Sequence, residues 1–173
     1  MQPFDKYVTS NKKEFFEGIN VIAGALQVKP EWLLTVMYLE SRINPAAQNP
    51  YNKATGLIQF INSTAKSLGT SLAELKAMSN VDQLDYVYKY YKPYKGRIKS
   101  FIDLYMITFF PVALGKPDNW VIEAKGISAK AVADGNKGYD LNKDSQITIG
   151  EFKQAVFKRL PADIIGLVEK KNL

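Results

Sequence analysis

Apolar residues recur at helical spacing through most of the chain, and the interruptions fall on proline, glycine and asparagine. Residues 10–27 place Phe15, Ile19, Ile22 and Leu26 on one stripe, which predicts a core-facing helix with Ser10 as its N-cap. A second helix opens at Pro30, whose missing N–H would be unused in a first turn. Asn44 and Pro45 close it, since the residue ahead of a proline avoids the helical region. Residues 44–56, rich in Asn, Pro, Ala and Gly, read as an exposed loop of the kind that builds a cleft. A short strand is expected within 55–61, followed by a short helix capped by Asn62 or Ser63. Ser71 with Glu74, and Ser79 with Asp82, have capping-box spacing. The helix from Ser79 carries Tyr86, Tyr88, Tyr90 and Tyr91 and stops before Pro93. Residues 98–110 predict a buried helix ended by Pro111, Asp118 caps a helix to about 125, and short helices over 150–159 and 161–170 finish the chain. Near Ala133 the composition turns to Asp, Gly, Asn and Lys, which sets the expected division at 1–133 and 134–173. The fold class is mainly α, with a short β or loop segment near the expected cleft.

One position breaks the pattern. Trp32, Leu33, Val36 and Met37 precede Glu40 by eight, seven, four and three residues, so a carboxyl ends an apolar stripe where another Leu would be expected. Desolvation there favours the neutral acid and raises its pKa, the condition for donating a proton near neutral pH. The competing reading is a helix-end Glu that reaches solvent or pairs with Arg42.

Composition narrows the chemistry. The chain has no Cys and no His, so disulfides, thiolate metal sites and His-based nucleophile pairs are excluded. Catalysis must use carboxylates, Lys, Tyr, hydroxyls or a hard cation. With 46% hydrophobic residues the 173-residue chain can bury a core. A net charge of +6 suits an anionic partner such as nucleic acid, a membrane surface or an acidic wall polymer. The most apolar run, 101–114, is interrupted by Asp103 and Pro111 and falls short of the ~20 residues a membrane span needs, so no span is expected. The N-terminus shows no basic-then-apolar secretory pattern. The tyrosine cluster at 86–91 reads either as a stacking platform or as core with an amphipathic rim.

Downstream of Glu40 come Ser41, Pro45, Ala47 and Asn49, then ATGLIQ at 54–59, then Thr64 and Ala65. This order resembles the lytic transglycosylase (SLT-type) branch of the lysozyme-like superfamily, whose signature runs Glu-Ser, a spaced Pro and Ala, Gly-Ala-x-Gly-Leu-Met-Gln, and Thr-Ala. The resemblance spans roughly residues 15–120. The loop between Glu40 and Gly56 is one residue longer than usual, Asn52 or Lys53 replaces a glycine, and Asn62 stands where a proline is usual. The family's later Tyr-Asn-Ala-Gly motif is absent. The corresponding segment, 103–115, offers Phe110 at the usual tyrosine place and Tyr105 about a turn earlier. The resemblance implies a lysozyme-like helical domain that cleaves the β-1,4 bond between N-acetylmuramic acid and N-acetylglucosamine, with Glu40 as the single general acid and base. Ser41, Thr55, Gln59, Tyr105 and Phe110 would contact substrate or shape the cleft. No organic cofactor is expected, and a monomer is.

DLNKDSQITIGE at 140–151 follows the EF-hand calcium loop. Oxygen donors fall at Asp140, Asn142, Asp144, the Gln146 carbonyl, Thr148 and Glu151, with Ile147 as the apolar anchor. Ser145 stands where glycine usually makes the sharp turn. Residues 133–139 do not read as an entering helix, so a single EF-hand-like loop with its exit helix, a structural Ca2+ staple, is expected. The expected function is a peptidoglycan-cleaving lytic transglycosylase or muramidase acting in the periplasm or cell wall, phage-associated, otherwise exported, or part of a secreted chain. The alternative is a catalytically silent wall-binding or phage-tail module. Nucleic acid, through the basic 86–99 stretch, is the third reading and not the expected partner.

Overall fold

The computed structural model describes residues 3–169, so the two ends of the chain, including residue 170 of the last expected helix, lie outside the described residues. Among the described residues nine α-helices form, with short 3-10 turns and only isolated β-bridges. The mainly helical expectation holds. The chain divides into two compact units with the boundary after Lys99, upstream of the change in composition near Ala133.

In unit 1, helices α1 (Lys12–Leu26), α2 (Pro30–Ser41), α3 (Asn62–Ser67), α4 (Leu72–Ala77) and α5 (Gln83–Tyr91) follow one another. The expected α1 stripe of Phe15, Ile19, Ile22 and Leu26 is buried. Ser10 is not its cap. Asn11 holds the cap position in a left-handed conformation (φ 47°), and Asn80 ties this corner down by donating to the Ser10 carbonyl at 2.8 Å. At the other end Gln27 turns left-handed (φ 61°), and the Val28 N–H closes α1 onto the Ala23 carbonyl at 3.0 Å. Helix α2 begins at Pro30 as expected and is buried continuously from Trp32 to Tyr38, so it runs through the core of the unit. Helix α1 packs against both α2 and α5. Gly18 permits the α1–α5 approach, because a Cβ there would lie 2.6 Å from Leu84 Cδ1. Leu33, Met37, Leu57, Leu75, Val87 and Tyr91 are at most 1% exposed, and each aliphatic side chain so buried contributes about 1.5–3 kcal/mol. The strand expected within 55–61 is replaced by isolated bridges of Thr55 to Gln48 and to Phe60. Left-handed turns at Gly56 (φ 87°) and Gln59 (φ 54°) bend the chain too sharply for a ladder.

Unit 2 starts at Ser100, whose hydroxyl caps α6 (Phe101–Phe109) by accepting the Asp103 N–H at 3.0 Å. Helices α7 (Ala129–Gly135), α8 (Ile149–Lys158) and α9 (Ala162–Val168) follow. Phe101, Tyr105 and Phe109 of α6 meet Tyr139, Phe152 and Phe157 in one aromatic cluster. That packing assigns α6 to the same unit as the 140–151 loop, which a composition change cannot reveal. Residues 118–125 form no helix. Instead the Ile122 N–H donates to the Ile147 carbonyl at 2.8 Å and the Ile149 N–H to the Trp120 carbonyl at 3.1 Å, so backbone pairing across the loop replaces it. A short helix, α7, does precede the loop. Ser128 caps it and Val132 and Ala133 are its buried face, so the polar composition from Asp134 onward marks only its last turn.

Candidate active site

Glu40 lies half-buried in the last turn of α2, one turn beyond the fully buried Val36 and Met37. Two successive residues after the helix, Arg42 (φ 57°) and Ile43 (φ 60°), are left-handed, a conformation that costs an L-residue about 1–2 kcal/mol. Their amides close α2 onto Tyr38 (3.1 Å) and Met37 (3.2 Å), and the Ile43 side chain is buried to 2% exposure. The Arg42 guanidinium stacks over the Tyr38 ring at 4.2 Å. This reversal brings the 44–60 loop back to the end of α2, where its Leu57 carbonyl meets Ser41.

Side chains from the expected site hold that loop. Ser41 is 8% exposed, and its hydroxyl lies 3.0 Å from the Met37 carbonyl and 2.9 Å from the Leu57 carbonyl, fastening the end of α2 to the Gly56–Leu57 turn. Thr55 is fully buried, accepts from Gln48 Nε2 at 3.1 Å and donates to the Lys53 carbonyl at 2.8 Å. Gln59 Nε2 donates to the Gly56 carbonyl at 3.0 Å and reaches that of Ala47 at 3.3 Å. All three hold the loop by contacts within unit 1.

Sequence reasoning missed the residue on which this loop turns. Gln83, at the start of α5, is fully buried. Its Oε1 accepts the Leu57 N–H at 2.8 Å, and its Nε2 lies 2.7 Å from both the Pro45 and the Leu75 carbonyls. One amide thus joins both ends of the loop to α4 and α5. Gly56 makes room for it, since a Cβ there would sit 2.6 Å from Gln83 Oε1. The signal was present: Gln83 shares the buried face of α5 with Val87 and Tyr91, and a polar group on an apolar stripe is the informative case.

Tyr90 is the second residue that the cluster reading left undistinguished. Its ring packs edge-on against Phe60 at 6.2 Å and against Tyr91 at 5.1 Å. Burial pushes its phenol well above the usual range, with further contributions from Tyr94 and from the Glu40 carboxylate. Tyr90 therefore sits within electrostatic reach of Glu40 and stays protonated.

Tyr105 and Phe110 belong to unit 2. Tyr105 is 4% exposed, with its hydroxyl 3.2 Å from that of Tyr139 and its ring stacked on Phe101. Phe110 is half-buried at the end of α6.

In the 140–151 loop, Asp140 Oδ2 accepts the Ser145 N–H at 3.0 Å, while its buried Oδ1 has no hydrogen-bond partner. Asn142 accepts the Asp144 N–H and Asp144 accepts the Gln146 N–H, each at 2.9 Å. Glu151 Oε1 accepts from the Leu141 and Asn142 amides at 3.3 Å, and its Oε2 closes a capping box with Thr148 at 2.9 Å. Ser145 is left-handed (φ 66°) and Ile147 is fully buried. Among the described residues no three His, Cys, Asp or Glu side chains converge closely enough to hold a metal ion by themselves. An EF-hand loop also draws on amide, hydroxyl and carbonyl oxygens.

No curated protein matches the chain significantly. Residues 17–95, which contain Glu40, its loop, Gln83 and Tyr90, match the family model described as the transglycosylase SLT domain, and this part of the chain is thereby similar to the lytic transglycosylases of the lysozyme-like superfamily.

Proposed function

We propose that the chain cleaves the glycan strands of peptidoglycan at the β-1,4 bond between N-acetylmuramic acid and N-acetylglucosamine, with Glu40 as both general acid and general base. The observation that carries this reading is a half-buried carboxyl at the end of a buried helix, beside a loop held rigid by Ser41, Gln59 and Gln83, inside the segment that matches the SLT family. Glu40 donates its proton to the leaving glycosidic oxygen as the C1–O bond breaks. The substrate's own 2-acetamido group stabilises the oxocarbenium-like centre, so a second enzyme carboxylate is not needed for this step. The Glu40 carboxylate then takes the proton of the attacking hydroxyl. If that hydroxyl is the sugar's C6 group the product is a 1,6-anhydro muropeptide; if it is water the product is the free reducing end. Tyr90, kept neutral by burial and within electrostatic reach of this carboxylate, acts as a positioning residue. Action on peptidoglycan places the working protein in the periplasm or outside the cell. Among the described residues no helix is long and apolar enough to cross a membrane.

Zymography on peptidoglycan tests the assignment. Wild type clears the substrate and Glu40→Gln loses about 10²–10⁴-fold in rate, the range for a general acid–base group. Equal clearing by both overturns the role of Glu40. Sedimentation with sacculi and no release of muropeptide by either protein assigns the chain to the non-catalytic wall-binding class. Mass spectrometry separates the two products, which differ by one water.

We also infer that the 140–151 loop holds calcium as a structural staple of unit 2. The hard-oxygen donor set and the buried Asp140 Oδ1, which lacks a partner, support this. Asp140, Asn142, Asp144, the Gln146 carbonyl, Thr148 and Glu151 would supply the oxygens. The cation would join the two ends of the loop and has no part in the chemistry at Glu40.

A further inference from the structure

A basic turn follows α5 in unit 1, and the cleavage chemistry at Glu40 makes no use of it. Between residues 86 and 102 the chain has five cations and no acid. Two of the five are already engaged: Lys89 pairs with Asp85 at 2.6 Å, and Lys99 has an interaction of its own. Lys92, Lys95 and Arg97 remain. All three are exposed, and none forms an ion pair with a carboxylate among the described residues.

The backbone fixes where these three stand. Lys92–Tyr94 form a 3-10 turn with Pro93 inside it. The Lys95 N–H donates to the Lys92 carbonyl at 3.2 Å, and the Arg97 N–H to the Tyr94 carbonyl at 3.0 Å. Gly96 makes the second bend at φ 80°. Lys92 Nζ lies 5.7 Å from the Tyr88 ring and the Arg97 guanidinium 5.9 Å from that of Tyr94. Such ring contacts steady the side chains and leave the charges in place. Three like charges held on one short turn repel one another and attract an anion.

The turn is linked to the proposed acid through Tyr90. The Tyr90 ring packs against Phe60 of the 44–60 loop at 6.2 Å, and Lys92 follows Tyr90 by two residues. The Tyr94 phenol and the Glu40 carboxylate both bear electrostatically on the Tyr90 phenol. A glycan whose scissile bond sits at Glu40 therefore presents the substituents of its adjacent rings towards this turn. In an intact peptidoglycan strand the lactyl carboxyl of muramic acid is spent on the amide bond to the peptide, so the negative charges lie on the peptide's own carboxylates. Arg97 offers a planar fork matched to a carboxylate, and the two lysines act as point charges.

We infer that Lys92, Lys95 and Arg97 form a carboxylate-binding lip that receives the peptide borne by muramic acid, so that the chain selects peptide-substituted strands. This rests on peptidoglycan being the substrate, and it names the part of that polymer which the turn reads.

Binding is measured with full-length Glu40→Gln protein, so that turnover does not intervene. The probes are soluble glycan strands bearing peptide, the same strands with their peptide carboxylates capped as methylamides, strands stripped of peptide to free the lactyl carboxylate, and a phosphate-bearing wall polymer. Peptide-bearing strands should bind about tenfold tighter than capped ones, the combined gain of three exposed ion pairs. Salt at about 0.5 M should erase the difference. Lys92→Gln with Lys95→Gln and Arg97→Gln should bind both kinds of strand alike while melting as the parent does. Lys12→Gln with Lys13→Gln and Lys66→Gln removes the same charge from exposed positions of α1 and α3 and should keep the preference. Four results each overturn the inference: equal binding of peptide-bearing and capped strands by the parent, an unchanged preference in the turn variant, an equal loss in the α1 and α3 variant, or binding of stripped strands or the phosphate polymer as tight as that of peptide-bearing strands. Absence of cleavage by the wild type removes the role of Glu40 and leaves this preference to be read by binding, so the two readings fail separately.

Discussion

Two loops of similar size, 44–60 in unit 1 and 140–151 in unit 2, are both closed by side-chain hydrogen bonds, yet they are finished to different degrees. In the first, the central amide of Gln83 is fully buried and its contacts reach the Leu57 amide and the Pro45 and Leu75 carbonyls at 2.7–2.8 Å. In the second, Asn142, Asp144 and Ser145 are exposed, the bonds to Glu151 Oε1 stretch to 3.3 Å, and Asp140 Oδ1 is buried without a partner. A buried polar network that is complete rigidifies what it holds, whereas one left incomplete is costly until something completes it. The Glu40 loop thus needs nothing beyond the protein to keep its shape. The acidic loop has a place for a cation.

The strongest challenge to this contrast is removal of the Gln83 amide. Gln83→Leu keeps the approximate volume but strands the buried Leu57 N–H and the Pro45 carbonyl, while the Leu75 carbonyl keeps the Met78 N–H at 3.2 Å, and each stranded group costs about 1–3 kcal/mol. The expected loss is about 3–5 kcal/mol by urea denaturation, and calcium should not restore it. A loss below about 1 kcal/mol would mean that Ser41 and Gln59 hold the loop without it. Gly56→Ala attacks the same contact from the other side. It forces a side chain into φ 87° and a Cβ to 2.6 Å from Gln83 Oε1, so a loss of about 2–4 kcal/mol is expected. In the double variant the two losses should fall well short of adding, because they remove one shared contact.

The acidic loop should respond in the opposite way. Calcium at 100 times its dissociation constant should add about 2.7 kcal/mol to unfolding, read as a rise in melting temperature that EDTA reverses. Asp140→Ala with Glu151→Gln should abolish the rise while leaving the Gln83→Leu loss unchanged. No shift with calcium or EDTA in the wild type would remove the metal assignment and leave the loop as a hydrogen-bonded turn.

The same contrast explains what was legible in the sequence. Helix α2 could be read to its first residue because Pro30 and an uninterrupted apolar face carry the information locally. The Glu40 position follows from the same periodicity. The Ser71 cap was readable because Glu74 lies three residues away and folds back on it; Ser79 and Asp82 make the same reciprocal bonds across a turn, and the helix expected from Ser79 begins only at Gln83. What escaped depends on partners distant in the chain. Gln83 meets Pro45, which lies 38 residues earlier, and no local pattern announces that contact. Asn80 displaced Ser10 as the tie at the start of α1 across 70 residues. Residues 118–125 look helical by themselves and lose that structure to backbone pairing with Ile147 and Ile149.

The smallest effect sharpens the comparison at a single torsion. Ser145 occupies the sixth place of the acidic loop with φ 66°, and its N–H donates to Asp140 Oδ2 at 3.0 Å. An L-residue there costs about 1–2 kcal/mol; glycine removes that strain but loses more backbone freedom on folding, about 0.4–1 kcal/mol. Ser145→Gly should therefore stabilise the protein by at most about 1 kcal/mol, seen as a small rise in the denaturation midpoint with and without calcium. If the gain grows when calcium is present, the cation holds the loop in the same left-handed turn that the hydrogen bond to Asp140 already selects. If Ser145→Gly stabilises the calcium-free protein alone, the cation prefers another backbone and the EF-hand register at 140–151 is wrong. The 44–60 loop offers the internal control, because Gln59 (φ 54°) is also left-handed there but spends its side chain on the Gly56 carbonyl at 3.0 Å. Gln59→Gly should then give up that bond while relieving its strain, leaving a near-zero net change that calcium does not alter.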